Sequence, residues 1–491
     1  MSALLERHLQ AARALPTPAT IIGGRAVGEH LTGAHRQIDP STGAAYAEIP
    51  LSGTAAIDQA VAAAQAAFPA WRDTAPEVRR EILERLAALI AAESDNFARI
   101  ASIENGVPIS FGHHFAAMAV QWTRYYAGWA DRLEGICSNT HKDEPLVFTM
   151  PEPFGVVAII ITWNAPLLSL AMKIPPALAA GNTVVLKPAE FTPFTATRYM
   201  ELAKQAGLPD GVLNLVLGDN DVSAALTRHP AIAKISFTGG PLTATKIMAA
   251  ASENLTPVLF ELGGKGANLV FADANLEEAI PFSARMPLLN AGQGCALPTR
   301  LLVQRPVYDQ VVEGVAACFA AFPQGDPFDP GTFIGPLINR AALERVTSFI
   351  ERAQAERSGR MVCGGGRCGG DLQDGYFVQP TIFADVDPAS NLAQREIFGP
   401  VLSIIPFDSE EEGLALANGT EYGLTNYVQT SDMRRARRLA RQLRSGTVGV
   451  NGTGNMHVSA PFGGVGISGF GREGGLEGIR EFAGTKTVLM G

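Results

Sequence analysis

Gly155-Val156-Val157-Ala158-Ile159-Ile160-Ile161-Thr162-Trp163-Asn164 contains an unbroken apolar run of strand length, and this run predicts a fully buried strand. Similar runs follow at 183–186 and 212–216. Segments with helical patterns lie between and after these runs, at 167–180, 195–206 and 221–229. Strands that are apolar on both faces and alternate with helices are typical of a parallel sheet covered by helices on both sides. The three runs together therefore predict an α/β domain.

The same alternation begins again after residue 261. Further apolar runs predict a second set of strands at 267–271, 301–303 and 401–405. A chain of 491 residues is also too long for a single core. We therefore predict two α/β domains with a boundary near residue 256. The segment 446–451 and the glycine-rich tail after it predict a late return of the chain to the first domain.

The composition excludes several classes of function. The net charge is −9, so bulk charge does not favour binding to nucleic acid or to an anionic membrane surface. The longest apolar run is far too short to span a bilayer. Five scattered cysteines favour a reducing compartment over a disulfide framework, and we expect a cytoplasmic protein. Cys363 and Cys368 lie in a glycine-rich turn without a second cysteine pair, so no metal site is predicted.

Cys295 is the candidate nucleophile. It ends the stretch Leu288-Leu289-Asn290-Ala291-Gly292-Gln293-Gly294-Cys295, where neighbouring glycines leave a thiol sterically open. Glu261 lies thirty-four residues upstream, and an acidic side chain held near a thiol can accept a proton or activate a water. The pair predicts covalent catalysis through a thioester. The alternative is that Cys295 is one more small buried apolar residue.

Several polar motifs follow predicted strands. Asn164 comes directly after the strongest strand, where its amide can stabilise an oxyanion or cap the next helix. Lys187-Pro188-Ala189-Glu190 follows the next strand, and its glutamate is also favourable at a solvated helix N-terminus. Phe237-Thr238-Gly239-Gly240-Pro241 precedes a predicted helix, and its glycines allow backbone N–H groups to approach a pyrophosphate. This segment is not a G-x-G-x-x-G fingerprint.

The ordered set of these segments resembles the aldehyde dehydrogenase superfamily. Glu396-Ile397-Phe398-Gly399-Pro400 and the closing stretch 461–473 complete the set, and the resemblance runs from about residue 20 to the C-terminus. It implies an aldehyde-dehydrogenase-like α/β fold with a Rossmann-like cofactor domain, a second α/β catalytic domain and a small oligomerisation arm. The implied ranges are 1–128 and 148–256 with a return near 446–475 for the cofactor domain, 257–445 for the catalytic domain, and 129–147 and 476–491 for the arm. The resemblance also implies a homodimer or homotetramer.

The resemblance implies a mechanism. The thiolate of Cys295 adds to an aldehyde, and the tetrahedral thiohemiacetal passes a hydride to the cofactor and leaves a thioester. Asn164 and the Cys295 N–H hold the oxyanion. Glu261 helps to form the thiolate and then activates the hydrolytic water. Lys173 and Glu473 match positions of a proton route from Glu261.

The resemblance also implies the residues that bind the cofactor. They are Ile160, Trp163, Lys187, Glu190, Gly218, Phe237, Thr238, Gly239, Gly240, Leu262, Glu396 and Phe398. A carboxylate at Glu190 accepts hydrogen bonds from the ribose hydroxyls of NAD and repels the 2′-phosphate of NADP, so NAD is favoured. The sequence departs from the family at Gly240, Ala244 and Gly466, where serine, glycine and lysine are usual. The first two departures imply a variant contact with the pyrophosphate.

The substrate is inferred from apolar positions that the resemblance places around a tunnel. These positions are Ala165, Met172, Leu288, Leu289 and Met456, several of which stand where the family often has aromatics. They predict a bulky or long apolar aldehyde. An acylating enzyme that uses coenzyme A and a thioester-forming esterase remain alternatives. Glu261 argues against the first, because members of that group often lack it. The proposed cofactor residues argue against the second. Intact Cys295 and Glu261 argue against a non-catalytic binding protein on this fold.

Overall fold

The computed structural model describes residues 3–28, 31–138, 145–452 and 456–491. The first of its two large sheets has eight strands, with five parallel strands in the centre and antiparallel strands at both edges. In spatial order they are Gly469–Phe470, Val258–Leu262, Lys234–Gly239, Val156–Ile160, Thr183–Lys187, Leu213–Leu215, Thr20–Ile22 and Arg25–Val27. All five residues of Val156–Ile160 are buried, as the unbroken apolar run predicts.

Helices cover both faces of this sheet. They are Ala3–Ala12, Ala55–Arg72, Pro76–Ala92, Ser94–Glu104, Ile109–Ala127, Pro166–Ala179, Pro193–Gln205, Asn220–Arg228, Pro241–Ser252 and Gly475–Arg480. Pro166, Pro193 and Pro241 each stand in the first turn, where a missing N–H costs nothing. Three helices therefore begin directly beyond the carboxyl ends of parallel strands, which is where ligands bind in α/β sheets.

The second sheet has seven strands, of which the first is antiparallel to its neighbour and the rest are parallel. In spatial order they are Arg360–Cys363, Thr381–Ala384, Val401–Phe407, Arg300–Gln304, Ala267–Val270, Thr425–Gln429 and Thr447–Val450. Its helices are Leu276–Arg285, Tyr308–Ala321, Arg340–Ala355, Asn391–Gln394, Glu410–Asn418 and Met433–Gln442. Short 3-10 turns cover Met286–Gly292, Arg305–Val307, Gly370–Leu372 and Gly466–Ser468.

Two small sheets complete the fold. Leu31–Ile38 and Ala45–Ser52 form a hairpin, and Cys137–Ser138, Leu146–Pro153 and Ala483–Met490 form a three-stranded antiparallel sheet. The latter contains the segments predicted as an arm. No helix in the part of the chain that the structure describes is both long and apolar enough to cross a bilayer.

Sheet membership changes at positions that differ from three of the predicted domain boundaries. Val258–Leu262 pairs with Lys234–Gly239 in the first sheet, so the chain changes sheets between Leu262 and Ala267 rather than at residue 256. Thr447–Val450 extends the second sheet, and the return to the first sheet comes at Gly469–Phe470. The arm strand Leu146–Pro153 continues past residue 147. The predicted ranges also include residues 1–2, 29–30, 139–144 and 453–455, which lie outside the described residues.

Candidate functional site

A cavity of about 340 Å³ lies between the carboxyl ends of strands in the first sheet and the loops that precede strands Arg300–Gln304 and Val401–Phe407 of the second sheet. It is lined by ten residues from the predicted catalytic and cofactor sets, namely Trp163, Asn164, Thr238, Gly239, Gly240, Glu261, Leu262, Cys295, Glu396 and Phe398. The first sheet supplies one wall and the loop that carries the thiol supplies the other. A cleft between two domains lined by a thiol and two carboxylates is a favourable place for covalent chemistry.

The loop that carries Cys295 contacts Gly264 and the strand Thr425–Gln429. An added Cβ on Gly264 would lie 2.4 Å from the Cys295 carbonyl oxygen, so only glycine allows this approach. Thr425 Oγ1 and Tyr427 Oη each donate a hydrogen bond of 3.0 Å to the carbonyl oxygen of Ala296. These contacts fix the backbone of Cys295 and of the residue that follows it.

The electrostatics around Cys295 favour the neutral thiol. Burial raises the pKa of the thiol above its ordinary value, and the charges of Glu261 and Glu396 raise it further. The charge of Glu261 thus disfavours the thiolate, and the predicted help of Glu261 in forming the thiolate stays a prediction that depends on proton acceptance. Thiolate formation requires a proton acceptor or a positive group that offsets these carboxylates.

Glu261 lies in a buried cluster of charges. It is 3% exposed on Val258–Leu262, and its Oε1 has no hydrogen-bond partner among the described residues. Burial and then the charge of Glu473 raise the pKa of Glu261, whereas Lys173 lowers it. Lys173 forms a buried ion pair with Glu473 and donates to Ser236 Oγ at 3.0 Å. The structure thus brings together all three residues of the predicted proton route, and the route itself remains a prediction.

Asn164 presents its amide to the cavity. Its Nδ2 donates a hydrogen bond of 3.0 Å to the carbonyl oxygen of Gln293. This bond occupies one of the two N–H groups of the amide and orients its nitrogen toward the thiol loop. The role of Asn164 in binding an oxyanion remains a prediction, which the second N–H of the amide would serve.

Lys187 and Glu190 lie together at the predicted adenosine end of the cofactor site. Lys187 Nζ lies 3.4 Å from Glu190 Oε2, and burial lowers the pKa of the lysine. Gln37 Nε2 donates to the backbone oxygen of Glu190 at 2.6 Å and so fixes the turn that carries Glu190.

Gly240 is the N-cap of Pro241–Ser252, and a Cβ there would meet nothing within 4 Å. This open helix N-terminus fits a pyrophosphate.

Five predicted cofactor residues do not line the cavity, namely Lys187, Glu190, Ile160, Phe237 and Gly218. Ile160 and Phe237 are buried in the core of the first domain. Gly218 is buried against Val222, whose side chain would lie 2.6 Å from an added Cβ. Ile160, Phe237 and Gly218 shape the strand ends beneath the site.

Glu396 and Phe398 lie on the thiol side. The Gly264 N–H donates to Glu396 Oε1 at 2.8 Å, and burial raises the pKa of this carboxyl to about 7. A Cβ on Gly263 would lie 2.2 Å from Glu396 Oε2, so a larger residue there would displace this carboxylate. The Phe398 ring packs edge-on against Trp163 with centroids 5.5 Å apart. A carboxylate and an aromatic wall beside a thiol fit the nicotinamide half of a dinucleotide.

The sequence reasoning missed one wall of the cavity. Asn339 and Arg345 line it from the start of Arg340–Ala355. Arg345 Nη2 contacts the Phe398 carbonyl oxygen at 3.5 Å, while burial lowers the pKa of Arg345 and Glu396 raises it. The only sequence signal was the helix cap at Asn339, which does not show which cleft the helix faces.

The predicted substrate residues are not brought together in this cavity. Leu288 is fully buried in the core of the second domain, so its place in a substrate tunnel is wrong. Met172 is 6% exposed within the first core. Ala165 and Met456 are half-buried against the same core, and Leu289 is half-buried at the kink of Met286–Gly292. None of the five lines the cavity.

Comparison with known proteins gives consistent matches. The sequence model of the aldehyde dehydrogenase family matches residues 29–488. A betaine aldehyde dehydrogenase of Cereibacter sphaeroides is 37% identical over 485 residues, covering 98% of each chain. A betaine aldehyde dehydrogenase of Staphylococcus aureus, solved with NAD+, has a TM-score of 0.95 at 32% identity and covers 98% of this chain and 96% of its own. A mutant of aldehyde dehydrogenase C from Pseudomonas syringae, solved with NAD+ and octanal, has a TM-score of 0.93 at 35% identity over 96% of both chains.

Proposed function

Since this chain belongs to the aldehyde dehydrogenase family, we propose that it oxidises an aldehyde to the carboxylic acid with NAD, through a covalent adduct on Cys295. The family match and the structural neighbours confirm the predicted fold class and the enzyme class. The single observation that carries the chemistry is that Cys295, Glu261 and Asn164 line the same cavity.

In the proposed reaction the Cys295 sulfur adds to the carbonyl carbon. The free N–H of Asn164 and the backbone N–H of Cys295 donate to the oxygen that becomes negative, and each such donor is typically worth about 3 kcal/mol. Bound NAD supplies the hydride acceptor that turns the adduct into a thioester. Glu261 then takes a proton from the water that hydrolyses the thioester. Burial and Glu473 raise the pKa of Glu261, and a raised pKa makes a carboxylate a stronger base.

We propose NAD as the cofactor because the residues fit it. The Glu190 carboxylate lies beside Lys187. There it can accept hydrogen bonds from two ribose hydroxyls of NAD, and its charge repels the 2′-phosphate of NADP. The NAD+ complexes of the two structural neighbours support the same choice. Gly240 leaves the helix N-terminus open, although it offers no hydroxyl to the pyrophosphate.

For the substrate we propose an apolar aldehyde of medium or large size. Ala165 and Met456, both half-buried, offer apolar surface and no charge. Octanal in the Pseudomonas syringae structure supports this choice. The name of the Cereibacter sphaeroides relative favours a compact cationic aldehyde as the alternative. Ala165 and Met456 offer a cation no acidic or aromatic group, whereas the cavity at Cys295 contains Glu261, Glu396, Trp163 and Phe398, so the substrate panel decides between the two.

The test is cofactor reduction, followed by absorbance, with a panel from acetaldehyde to octanal plus betaine aldehyde. Each buried methylene should contribute roughly 0.8 kcal/mol, about fourfold in kcat/KM. Assays with and without coenzyme A separate the acylating alternative, since that enzyme would depend on coenzyme A. Hydrolysis of an ester without any aldehyde oxidation would support the esterase instead.

The variant Ala165→Phe tests the substrate proposal directly. An added aromatic ring should cut kcat/KM for octanal about tenfold or more and spare acetaldehyde, because only the longer chain needs the volume. Val458→Phe, also half-buried against the first core, is the control for added bulk. Equal loss for both aldehydes in Ala165→Phe would mean that residue 165 does not line the substrate site.

We also propose that the chain forms a homo-oligomer through its three-stranded sheet. This sheet exposes Leu489 and Met490, at 68% and 55% of their surfaces. Light scattering of the purified protein measures the assembly, and Leu489→Lys should dissociate it if this strand lies at the interface. A monomeric wild type would contradict the proposal.

A further inference from the structure

Three neighbouring side-chain amides, Asn164, Asn290 and Gln293, link the oxyanion loop to the nucleophile loop. We call these three residues the amide cluster. Asn164 belongs to the loop after Val156–Ile160 in the first sheet. Asn290 and Gln293 belong to the segment that leads to Cys295. The cluster is therefore the point at which the two halves of the proposed oxyanion site are joined.

Asn290 bridges the two loops with one nitrogen. Its Nδ2 donates to the Asn164 carbonyl oxygen at 2.9 Å and to the Gln293 carbonyl oxygen at 3.3 Å. The Gln293 carbonyl oxygen also accepts the bond from Asn164 Nδ2 at 3.0 Å. The Gln293 carbonyl thus accepts hydrogen bonds from the side-chain amides of both Asn164 and Asn290. The two hydrogen bonds of Asn290 Nδ2 use both of its hydrogens. Asn290 is 7% exposed, so water does not replace these bonds freely.

Gln293 anchors the cluster to the second domain. Its side chain is buried, and its Nε2 donates to the carbonyl oxygens of Asn290 and Pro336 at 3.1 and 3.2 Å. Its Oε1 accepts from the Ile338 N–H at 2.9 Å. The Gln293 carbonyl that receives Asn164 is therefore held by a residue with its own fixed contacts. A shift of this carbonyl would move the oxyanion amide with it.

The backbone explains why asparagine stands at 290. Asn290 and Ala291 have φ values of +51° and +53°, followed by Gly292 at +74°. Asparagine tolerates this left-handed region better than most residues. Glycine would keep the backbone and lose both donors. Aspartate would place a second oxygen against two carbonyls and add charge beside a thiol whose pKa is already raised.

We propose that Asn290 is a positioning residue for oxyanion stabilisation. Its amide fixes the Asn164 side chain relative to Cys295, and it touches neither substrate nor the reacting atoms. This inference rests on the proposed function, because it assumes an oxyanion at Cys295. It assigns a role to a residue that the motif reasoning used only as part of the nucleophile segment.

The first experiment compares Asn290→Gly with Ala291→Gly. Both keep a left-handed position next to Gly292, and only the first removes donors. Asn290→Gly should lower kcat/KM for the best aldehyde by roughly ten- to hundredfold, with the Kd of NAD unchanged, since misplacement of a donor slows the chemical step. Ala291→Gly should stay within about threefold of wild type. Equal losses would show that the backbone rather than the amide matters.

A double-mutant cycle shows whether Asn290 acts through Asn164. In the Asn164→Ala background, Asn290→Gly should cost less than about threefold, because no oxyanion amide remains to be positioned. Melting temperatures are measured for all four proteins. A loss that stays ten- to hundredfold in this background would overturn the proposal and assign Asn290 to loop folding alone.

A readout without cofactor separates this inference from the proposed function. Acylation by p-nitrophenyl acetate also forms an oxyanion at Cys295, and its burst rate should fall in Asn290→Gly by a similar factor. A wild type that oxidises no aldehyde but shows this burst would sink the proposed function and still test Asn290. A crystal structure of Asn290→Gly gives the final check. An Asn164 amide in its wild-type position would contradict the inference even if activity falls.

Discussion

The two sides of the thiol are stabilised by different forces. On the oxyanion side, neutral amides of Asn164, Asn290 and Gln293 bond to backbone carbonyls in a buried cluster. On the base side, Glu261 Oε1 has no hydrogen-bond partner among the residues that the structure describes, and the buried Lys173–Glu473 ion pair acts on this carboxylate through its charges. Amide bonds hold geometry at any ordinary pH, whereas buried charges set one another's protonation. We therefore expect mutations on the oxyanion side to disturb geometry and mutations on the base side to change proton transfer.

The largest effect should come from the thiol between the two sides. Cys295→Ala should abolish aldehyde oxidation and ester hydrolysis, because no covalent adduct can form. Steady-state assays measure the loss, and fluorescence titration should show unchanged NAD binding. Oxidation that remains above about one per cent of wild type would contradict a covalent mechanism.

Glu261→Gln tests the base side. Glutamine keeps the shape but cannot accept the proton of the hydrolytic water, so deacylation should slow by roughly 10²- to 10⁴-fold and acylation much less. Rapid mixing should show a burst of reduced cofactor followed by a slow steady state. Unchanged turnover would remove Glu261 from the base role, and a lost burst would place it in the acylation step as well.

Glu190→Gln tests the predicted adenosine end of the cofactor site. Loss of the carboxylate should reduce the preference for NAD over NADP by about tenfold, which corresponds to roughly 1.4 kcal/mol. The kcat/KM values for both cofactors measure this preference. Glu201→Gln, on the neighbouring helix Pro193–Gln205, is the matched control and should change neither value. A wild type that prefers NADP would contradict the assignment.

The smallest effect concerns the charge cluster itself. The charge of Glu473 raises the pKa of Glu261, so Glu473→Gln should lower that pKa. Because the base works only when deprotonated, the acidic limb of the kcat/KM profile should move to lower pH, by about one unit or less. Glu477→Gln, at an exposed site, serves as control. A shift of the acidic limb to higher pH would contradict this expectation. It would mean that Lys173, once it has lost its partner Glu473, does not lower the pKa of Glu261 as the structure indicates.

Local patterns predicted much of the fold and of the site. Val156–Ile160 was recognisable as a buried strand because every residue in it is apolar, and Asn164 followed from its place at the strand end. Cys295 and Glu261 were predicted as a pair from their surrounding motifs, and both line the cavity. Leu288 was misplaced because an apolar residue suits a core and a tunnel equally well, and only packing distinguishes them.

The sequence alone determined the alternation of strands and helices, the presence of a thiol and a carboxylate in recognisable segments, and the family resemblance. These properties depend on periodicity and residue type, which are local. The tertiary structure decided that Val258–Leu262 belongs to the first sheet, that Arg345 faces the cavity, and that Asn290 bridges two loops. It also decided that the pKa of Cys295 is raised above its ordinary value. Strand pairing, desolvation and hydrogen bonds between distant loops depend on which segments meet, and that arises only when the whole chain packs.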